Sequence, residues 1–288
     1  MSIRWVHPDN AAQAEFWNGA VGRRWTDRQE AQDVLLGPVD DRLFASASVQ
    51  SGERAIDVGC GCGATTIALA RRVAPGGHVL GLDISEQMLV RARERARTEL
   101  SVTFALADAT TYEFAPGAAD LAISRFGVMF FADPVTAFAN LRKGLRTGGR
   151  LVFACWRAAK LNPWVTLPLR EAQKHAPPMP ETGPEDPGPF AFASEERVRK
   201  ILADAGYRDI ALAPHDFELD IAGGRGLDAA VDTAVSIGPA SRILQDQSED
   251  VRAAAAADIR AALLPHARGD VVPLGVATWI VAAVNPGG

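Results

Sequence analysis

Apolar and polar positions follow one another along the middle of the chain in a pattern that predicts strands separated by helices. Short apolar runs lie at 55–58, 78–83, 102–107, 119–124 and 150–155, with helical patterns between them. Parallel neighbouring strands need a crossover connection, which is usually a helix packed on one face of the sheet. The pattern therefore predicts five β/α units and a mostly parallel sheet that is covered on both faces.

Serines and glycines predict where several of these helices begin and end. Ser85 and Ser194 precede helical patterns and are expected to be N-caps, because a serine oxygen can accept a hydrogen bond from the first turn. Gly148-Gly149 is expected to end the helix before the fifth strand, because glycine readily adopts the left-handed conformation that closes a helix.

Other patterns lie outside the five units. Residues 11–36 are helix-like, with Gly22 expected to break the pattern and Gly37-Pro38 to end it. Two more strands are predicted at 210–220 and 277–284, which gives seven strands in an α/β fold. The predicted regions are a helical cap, a core in three pieces, and two insertions: 1–50; 51–156, 191–221 and 273–288; 157–190 and 222–272.

Composition narrows the possible function classes. The 288 residues are 48% hydrophobic, and 35 acidic against 30 basic residues give a net charge of −5. A chain without an overall basic field is a poor nucleic-acid binder, and no apolar run approaches the ~20 residues that a membrane helix needs. The three cysteines, Cys60, Cys62 and Cys155, form no disulfide framework. We therefore expect a cytoplasmic protein with no nucleic-acid or membrane partner.

A glycine-rich turn follows the first predicted strand. Gly59, Gly61 and Gly63 stand between that strand and a helix, at the end of a parallel sheet where ligands bind. Asp83 ends the second predicted strand, where a carboxylate can accept hydrogen bonds from ribose hydroxyls. These positions predict an adenosine-type ligand; in the alternative, the glycines only pack a helix on a strand.

Two kinds of adenosine ligand fit this turn. Gly59, Gly61 and Ala64 also satisfy the dinucleotide fingerprint, so an NAD-dependent oxidoreductase remains an alternative. Asp57 would place a negative charge beside a pyrophosphate, whereas it suits a ligand with an ammonium and a sulfonium group. Asp108 follows the third strand, where it can accept a hydrogen bond from an adenine amine.

Four motifs carry a resemblance to a known family. They are "IDVGCGCG", "VLGLDIS", "ALADAT" and "ADLAISRFGVMFF", in that order within residues 55–155. In these motifs the chain resembles the class I S-adenosylmethionine-dependent methyltransferases, in the small-molecule, UbiE-like group. The resemblance implies a Rossmann-like sheet with an antiparallel final strand, S-adenosyl-L-methionine as cofactor and S-adenosyl-L-homocysteine as product.

The resemblance also implies roles for residues in each motif. Gly59, Cys60, Gly61 and Gly63 would line the methionine part of the cofactor, and Asp83 would hold the ribose. The groups expected at the adenine are the side chains of Ile84, Met88 and Asp108 and the amide of Ala109. The backbone of Ser124, Arg125 and Phe126 would meet the amino group.

Aromatic residues outside the motifs are candidates for the remaining surfaces. Trp156 and Trp164, with Phe190 and Phe192, are expected to form an apolar substrate wall, with core packing as the alternative. Trp25, with Trp17 and Gln29, is expected to cover the methionine end, again with core packing as the alternative. The two insertions emerge late in the sheet and are expected to form a helical lid over donor and acceptor.

Departures from related groups narrow the acceptor. "SRFG" at 124–127 replaces the Asn/Asp-Pro-Pro-aromatic motif of nucleobase enzymes, and the paired glutamates of protein arginine enzymes do not occur there. Ser124 stands where magnesium-dependent catechol enzymes have an aspartate, so no metal site is expected. These departures favour a small, partly apolar acceptor, with a non-catalytic cofactor-binding module as a further alternative. We identify no catalytic acid or base.

Overall fold

The computed structural model describes residues 5–99, 101–177, 183 and 185–287. Part of the proline-rich stretch in the first predicted insertion lies outside them. The described residues form one seven-stranded sheet with the strands β1 (Arg54–Val58), β2 (His78–Asp83), β3 (Val102–Leu106), β4 (Ala119–Arg125), β5 (Leu145–Trp156), β6 (Arg208–Asp220) and β7 (Pro273–Val284).

The strands lie in the order β3-β2-β1-β4-β5-β7-β6. The four strand pairs among β1 to β5 are parallel, and the strand order reverses between β1 and β4. β7 runs antiparallel to β5, because Gly148 and Gly149 exchange backbone hydrogen bonds with Asn285 while Arg157 donates to Ala277. The prediction of a mostly parallel, seven-stranded sheet is confirmed.

Helices connect and cover these strands. Within the described residues they are α1 (Ala11–Asn18), α2 (Ala20–Asp27), α3 (Gln29–Ala47), α4 (Ala64–Val73), α5 (Glu86–Arg95), α6 (Pro134–Gly144), α7 (Pro163–Ala172), α8 (Glu195–Asp204), α9 (Gly226–Ser236), α10 (Gly238–Leu244) and α11 (Glu249–Leu263). No helix in this part of the chain is long and apolar enough to span a bilayer.

The N-terminal helices differ from the prediction at both expected glycine boundaries. α3 continues through Gly37-Pro38, because the buried Leu36, Val39 and Leu43 on both sides of Pro38 keep one face packed. The break falls at Gly19, whereas Gly22 lies inside α2. A Cβ on Gly22 would lie 1.9 Å from the Trp17 carbonyl oxygen, so this glycine serves close packing.

The fourth and fifth strands also correct the sequence interpretation. α6 ends at Gly144, β5 begins at Leu145, and Gly148-Gly149 lies inside that strand. A Cβ on Gly144 would lie 2.9 Å from Cβ of Phe114, so the close contact falls at this glycine. The predicted helix between β3 and β4 is absent from residues 107–118, which form turns held by Asn140 through two backbone carbonyls.

The two serine caps have different outcomes. The Ser194 hydroxyl accepts a hydrogen bond from the Arg197 amide at 3.3 Å, which confirms that cap. Ser85 occupies the N-cap position of α5, but its hydroxyl donates to the Trp17 carbonyl at 2.8 Å. The predicted capping bond of Ser85 is therefore wrong, because a tertiary acceptor takes its hydroxyl.

The chain divides into two compact units. Unit 1 consists of Met1–Trp156, Glu185–Pro214 and Trp279–Gly288, and unit 2 of Arg157–Pro184 and His215–Thr278. In unit 2, α7 packs against α10 and α11, and α9 packs against α10 and α11. Residues 185–190, assigned above to the first insertion, belong to unit 1, where the Gly188 amide donates to the Met129 carbonyl.

Candidate functional site

The glycine turn joins β1 to α4 in unit 1. Gly59, Gly61 and Gly63 have φ values of +68°, +54° and +81°, in the left-handed region that glycine adopts without strain. A Cβ on Gly59 would lie 2.7 Å from the Gly127 Cα, and one on Gly63 would lie 3.0 Å from the Ala92 Cβ. Gly59 therefore allows close packing on the Gly127 backbone, and Gly63 allows close packing on Ala92, in addition to their role in the turn.

Gly61 differs from the other two glycines. The nearest atoms to a Cβ built there are the Met88 sulfur at 3.7 Å and the Trp25 indole nitrogen at 3.9 Å. Its amide donates to the Asp83 Oδ2 at 2.7 Å. The structure thus brings together four predicted site residues, Trp25, Gly61, Asp83 and Met88.

Asp83 is fixed by the backbone around it. The Ser85 amide donates to its Oδ1 at 2.8 Å, opposite the Gly61 bond to Oδ2. Burial raises the pKa of Asp83 to about 6, although hydrogen bonds from backbone amides favour the charged form. Ile84 follows Asp83 directly and is half-buried, and its carbonyl accepts a hydrogen bond from Asn18 at 2.8 Å.

Asp57 is fully buried near the end of β1. Its Oδ2 accepts hydrogen bonds from the Thr65 and Thr66 hydroxyls, both at 2.6 Å, whereas Oδ1 accepts none from the described residues. Burial raises the pKa of Asp57 against the effect of the two hydroxyls. A buried carboxylate oxygen without a partner is costly, and a cationic donor would satisfy it.

Two acids on α3 extend this charged site. The Arg125 side chain contacts Asp40 at 2.7 Å and Asp33 at 3.7 Å, and Arg95 contacts Asp33 at 2.7 Å. Burial raises the pKa of Asp40 to about 6 despite Arg125, and its Oδ1 also accepts no hydrogen bond from the described residues. With Asp57, which interacts electrostatically with Arg125, the cluster has three carboxyl groups and two guanidinium groups, so it has one more acid than base.

Sequence reasoning missed Asp33 and Asp40. Their seven-residue spacing on a helix places both side chains on one face, and this spacing could have indicated from the sequence that they act together. Gln29 lies in the same network, where its amide donates to Asp33 and accepts from Arg91 at 3.2 Å. Trp17 packs edge-to-face on Trp25 at 6.0 Å.

The predicted adenine group Asp108 has chain partners in the structure. It is 1% exposed, and its Oδ2 accepts hydrogen bonds from the His7 amide at 2.9 Å and the Asn10 side chain at 2.8 Å. The Thr110 amide donates to Oδ1 at 2.8 Å. Ala109 is buried, and its carbonyl accepts from Asn140. An adenine contact by Asp108 or Ala109 stays a prediction.

The ends of β4 and β5 carry an aromatic pair. Phe126 has an uncommon φ of +66°, and its ring stacks on Trp156 with 4.0 Å between centroids and 7° between planes. Ser124 is fully buried, and its hydroxyl accepts from the Gly127 amide at 3.2 Å. Phe126 and Trp156 are 7% and 8% exposed, so they form a largely buried apolar pair beside the Gly127 to Gly59 contact.

Other candidates lie elsewhere. Phe192 is 1% exposed and packs near Phe138 and Phe153, which supports the core-packing alternative for this residue. Trp164 is half-buried on α7 in unit 2.

Burial raises the pKa of the Cys62 thiol to about 11, and Cys60 is also a buried thiol. No group of three or more His, Cys, Asp or Glu side chains within the described ranges could hold a metal ion.

The structure is a Rossmann-like fold with a glycine-rich turn at the point where the strand order reverses. A family model described as a methyltransferase domain matches residues 55–149. The nocamycin O-methyltransferase of Saccharothrix syringae is 31% identical over 259 residues, which cover 86% of this chain and 90% of that protein. The chain belongs to the class I S-adenosylmethionine-dependent methyltransferases, and S-adenosyl-L-methionine is the cofactor of this family.

Other similarities are shorter or more distant. The demethylmenaquinone methyltransferase of Staphylococcus carnosus is 34% identical over 111 residues, covering 38% of this chain and 46% of that protein. For this relative and another curated one, the chain spans only about a third to a half of the length of the protein that it matches. The structure of Haemonchus contortus phosphoethanolamine N-methyltransferase 2 with S-adenosyl-L-methionine shares the fold, with a TM-score of 0.53, 20% identity, and coverage of 86% and 52%.

Proposed function

We propose that this protein transfers a methyl group from S-adenosyl-L-methionine to a small, partly apolar acceptor. The observation that carries the proposal is the unpaired Oδ1 of Asp57, buried in a cluster that has one more carboxyl group than guanidinium groups. That arrangement suits a ligand with an ammonium and a sulfonium group better than a pyrophosphate. It therefore favours a methyl donor over the dinucleotide of the oxidoreductase alternative.

The chain has groups that fit each part of this cofactor. Asp57 and Asp40 would accept hydrogen bonds from the ammonium group, and Asp83 would accept them from ribose hydroxyls. Met88 and Ile84 would pack on the adenine, and Trp25 would cover the methionine end beside Gly61. When bound, the cofactor supplies an electrophilic methyl group on a sulfonium.

The contribution of the protein to such a displacement is geometric. It must hold donor and acceptor in line at about 3 to 3.5 Å and exclude water from the site. We propose that the stacked pair Phe126 and Trp156 forms the apolar wall against the acceptor. No residue is assigned as a general base, because proximity and desolvation suffice for an activated acceptor.

We further propose that unit 2 determines acceptor selectivity, with Trp164 as a contact residue. The shared methyltransferase domain ends at residue 149, before unit 2 begins at Arg157. Two relatives are named an O-methyltransferase and a demethylmenaquinone methyltransferase, which supports a small-molecule acceptor for this chain as well.

Labelled cofactor tests the proposal directly. The purified protein would be incubated with methyl-labelled S-adenosyl-L-methionine and a panel of phenols, quinols, amines and carboxylic acids, and the products followed by mass spectrometry. Label transfer to one acceptor class is the expected result. Calorimetric binding of NADH without binding of S-adenosyl-L-methionine would instead support an oxidoreductase, and cofactor binding without turnover on any acceptor would support a binding module.

Trp164→Ala tests the role of unit 2. We expect an altered acceptor KM or kcat, with affinity for S-adenosyl-L-methionine within about threefold of wild type. Leu264→Ala is a matched control in the same unit, because Leu264 is exposed and should change neither quantity. Loss of cofactor affinity in the Trp164 variant, with normal acceptor kinetics at saturation, would assign Trp164 to the donor site.

A further inference from the structure

Asn10 joins three separate segments of unit 1 through one buried side chain. Its amide nitrogen donates to the Asp108 Oδ2 at 2.8 Å and to the Thr110 hydroxyl at 3.1 Å. Its oxygen accepts from the Ala132 amide at 2.9 Å. Asn10 is 4% exposed, so all three bonds are shielded from water, and losing them would leave buried polar groups unsatisfied.

The chain around Asn10 makes similar bonds along residues 5–27, which we call the N-terminal strap. The Thr111 hydroxyl donates to the Trp5 carbonyl at 2.9 Å, after β3. Asn18 donates to the Ile84 carbonyl at 2.8 Å and accepts from the Glu86 amide at 3.0 Å, after β2. The strap is therefore fastened to loops at the carboxyl ends of the strands that carry the donor groups.

The far part of the strap covers the glycine turn. Trp25 lies against Gly61, and Trp17 packs edge-to-face on both Trp25 and Phe130 at 6.0 and 5.0 Å. Asp108 is enclosed by the strap and is not accessible to a ligand in this arrangement. A nucleoside-sized ligand can reach this group only if the strap moves.

We propose that Asn10 is a positioning residue for the methyl donor, and that docking of the strap and binding of the donor are coupled through the bond between Asn10 and Asp108. The inference rests on the proposed function, because it takes the donor site as given. It assigns Asp108 the role of anchoring the strap. Binding of the donor orders the strap, and a docked strap holds Trp25 over the donor.

Asn10→Ala and Asn140→Ala form a matched pair that tests this coupling. Asn140 supports the same loop through the Ala109 and Tyr112 carbonyls, both at 2.9 Å, and these bonds involve no strap residue. For Asn10→Ala we expect the Kd of S-adenosyl-L-homocysteine, measured by calorimetry, to rise about tenfold or more. For Asn140→Ala we expect a rise of less than about threefold.

A pair swap separates the specific bond from general loop order. Asn10→Asp places a carboxylate beside Asp108 and should weaken S-adenosyl-L-homocysteine binding more than Asn10→Ala does. The double variant Asn10→Asp, Asp108→Asn restores an amide opposite a carboxylate and should recover part of that loss, since the new amide oxygen can still accept from the Thr110 amide although the His7 amide loses its acceptor. A role in loop folding alone predicts no recovery, because Asp108 also accepts from His7 and Thr110.

Hydrogen exchange of residues 5–27 gives a readout that is independent of turnover and, in the wild-type protein, requires no substitution. In the wild-type protein we expect S-adenosyl-L-homocysteine to slow exchange of the strap amides by about tenfold or more, and the Asn10→Ala strap to exchange fast without ligand. Unchanged exchange in wild type, or equal affinity losses in the Asn10 and Asn140 variants, would overturn the inference while leaving the function intact. A wild-type protein that binds no S-adenosyl-L-homocysteine would overturn both.

Discussion

Charged side chains at the amino end of the sheet are paired, whereas some of those at the carboxyl end lack partners. The residues at the two ends of β1 and β4 show this difference. At the amino end, Asp120 accepts hydrogen bonds from the Arg54 amide at 2.9 Å and from Arg146 at 2.6 Å. Arg150 contacts both oxygens of Glu53, at 2.7 and 2.9 Å. At the carboxyl end, Asp57 keeps one oxygen without a partner.

The pKa shifts follow this division. Burial acts to raise the pKa of Asp120, but the hydrogen bonds from Arg146 and the Arg54 amide outweigh it and lower the pKa overall. Burial dominates at Asp57 and Asp83, where the pKa is raised. Charges at the amino end therefore stabilise the fold, whereas those at the carboxyl end cost stability and are available to a ligand.

The largest expected difference between the two ends is in the free energy of unfolding that is lost when a glycine is replaced by alanine. Gly59→Ala adds a Cβ 2.7 Å from the Gly127 backbone at a φ of +68°, and should lower the free energy of unfolding by about 3 kcal/mol or more. Gly52, at the amino end, has a φ of +85° but open space around it, so Gly52→Ala should cost about 1 kcal/mol. Urea unfolding measures both, and equal losses would show that the Gly59 contact can relax.

The second largest expected difference is in how much the replacement of an aspartate at either end weakens cofactor binding. Asp83→Ala removes the acceptor for ribose hydroxyls and releases the Gly61 amide, and should weaken S-adenosyl-L-homocysteine binding by about 2 kcal/mol, or about 30-fold. Asp120→Ala, at the amino end, should leave the affinity within about threefold. Calorimetry on both variants checks the contrast, which fails if Asp120→Ala weakens binding as much.

A smaller difference between the two ends is expected in how the free energy of unfolding depends on pH. The folded pKa of Asp40 is about 6, above the ordinary 3.8, so the folded state binds more protons between these values and loses stability as pH rises through them. The decrease in unfolding free energy from pH 5 to pH 7.5 should be about 1 kcal/mol smaller in Asp40→Asn than in wild type.

Asp120→Asn is the control for this measurement. The pKa of Asp120 is lowered, so its stabilising effect is present above about pH 4 and is lost only as pH falls below that. The variant should therefore show the wild-type slope between pH 5 and pH 7.5 in urea unfolding. A reduced slope in Asp120→Asn, or an unchanged one in Asp40→Asn, would contradict the division between the two ends.

The smallest expected effect is that of a chelator. The acids at the carboxyl end contact arginine, threonine and backbone donors, and no set of three His, Cys, Asp or Glu ligands converges within the described chain. Methyl transfer should therefore proceed at an unchanged rate in EDTA. A loss of turnover that Mg²⁺ restores would show that these carboxylates act together as metal ligands.

Sequence patterns predicted most of the sheet but misplaced several helix boundaries. β2 was predicted with its observed bounds, because a short apolar run between turns is a local signal. The end of α3 was missed, because burial of Leu36, Val39 and Leu43 outweighs the local preference at Gly37-Pro38. The start of β5 was missed for the same kind of reason, since its glycines form backbone hydrogen bonds with Asn285, directly after β7.

The sequence by itself determined the succession of the seven strands, the glycine turn and the position of Asp83, because these follow from residue types and short spacings. Only the tertiary structure decided which distant side chains complete the site. Asp40 meets Arg125 across 85 residues, and Asn10 meets Asp108 across 98. No local pattern encodes such pairs, because the sheet must form before its carboxyl end can bring α3 and the N-terminal strap beside the donor loops.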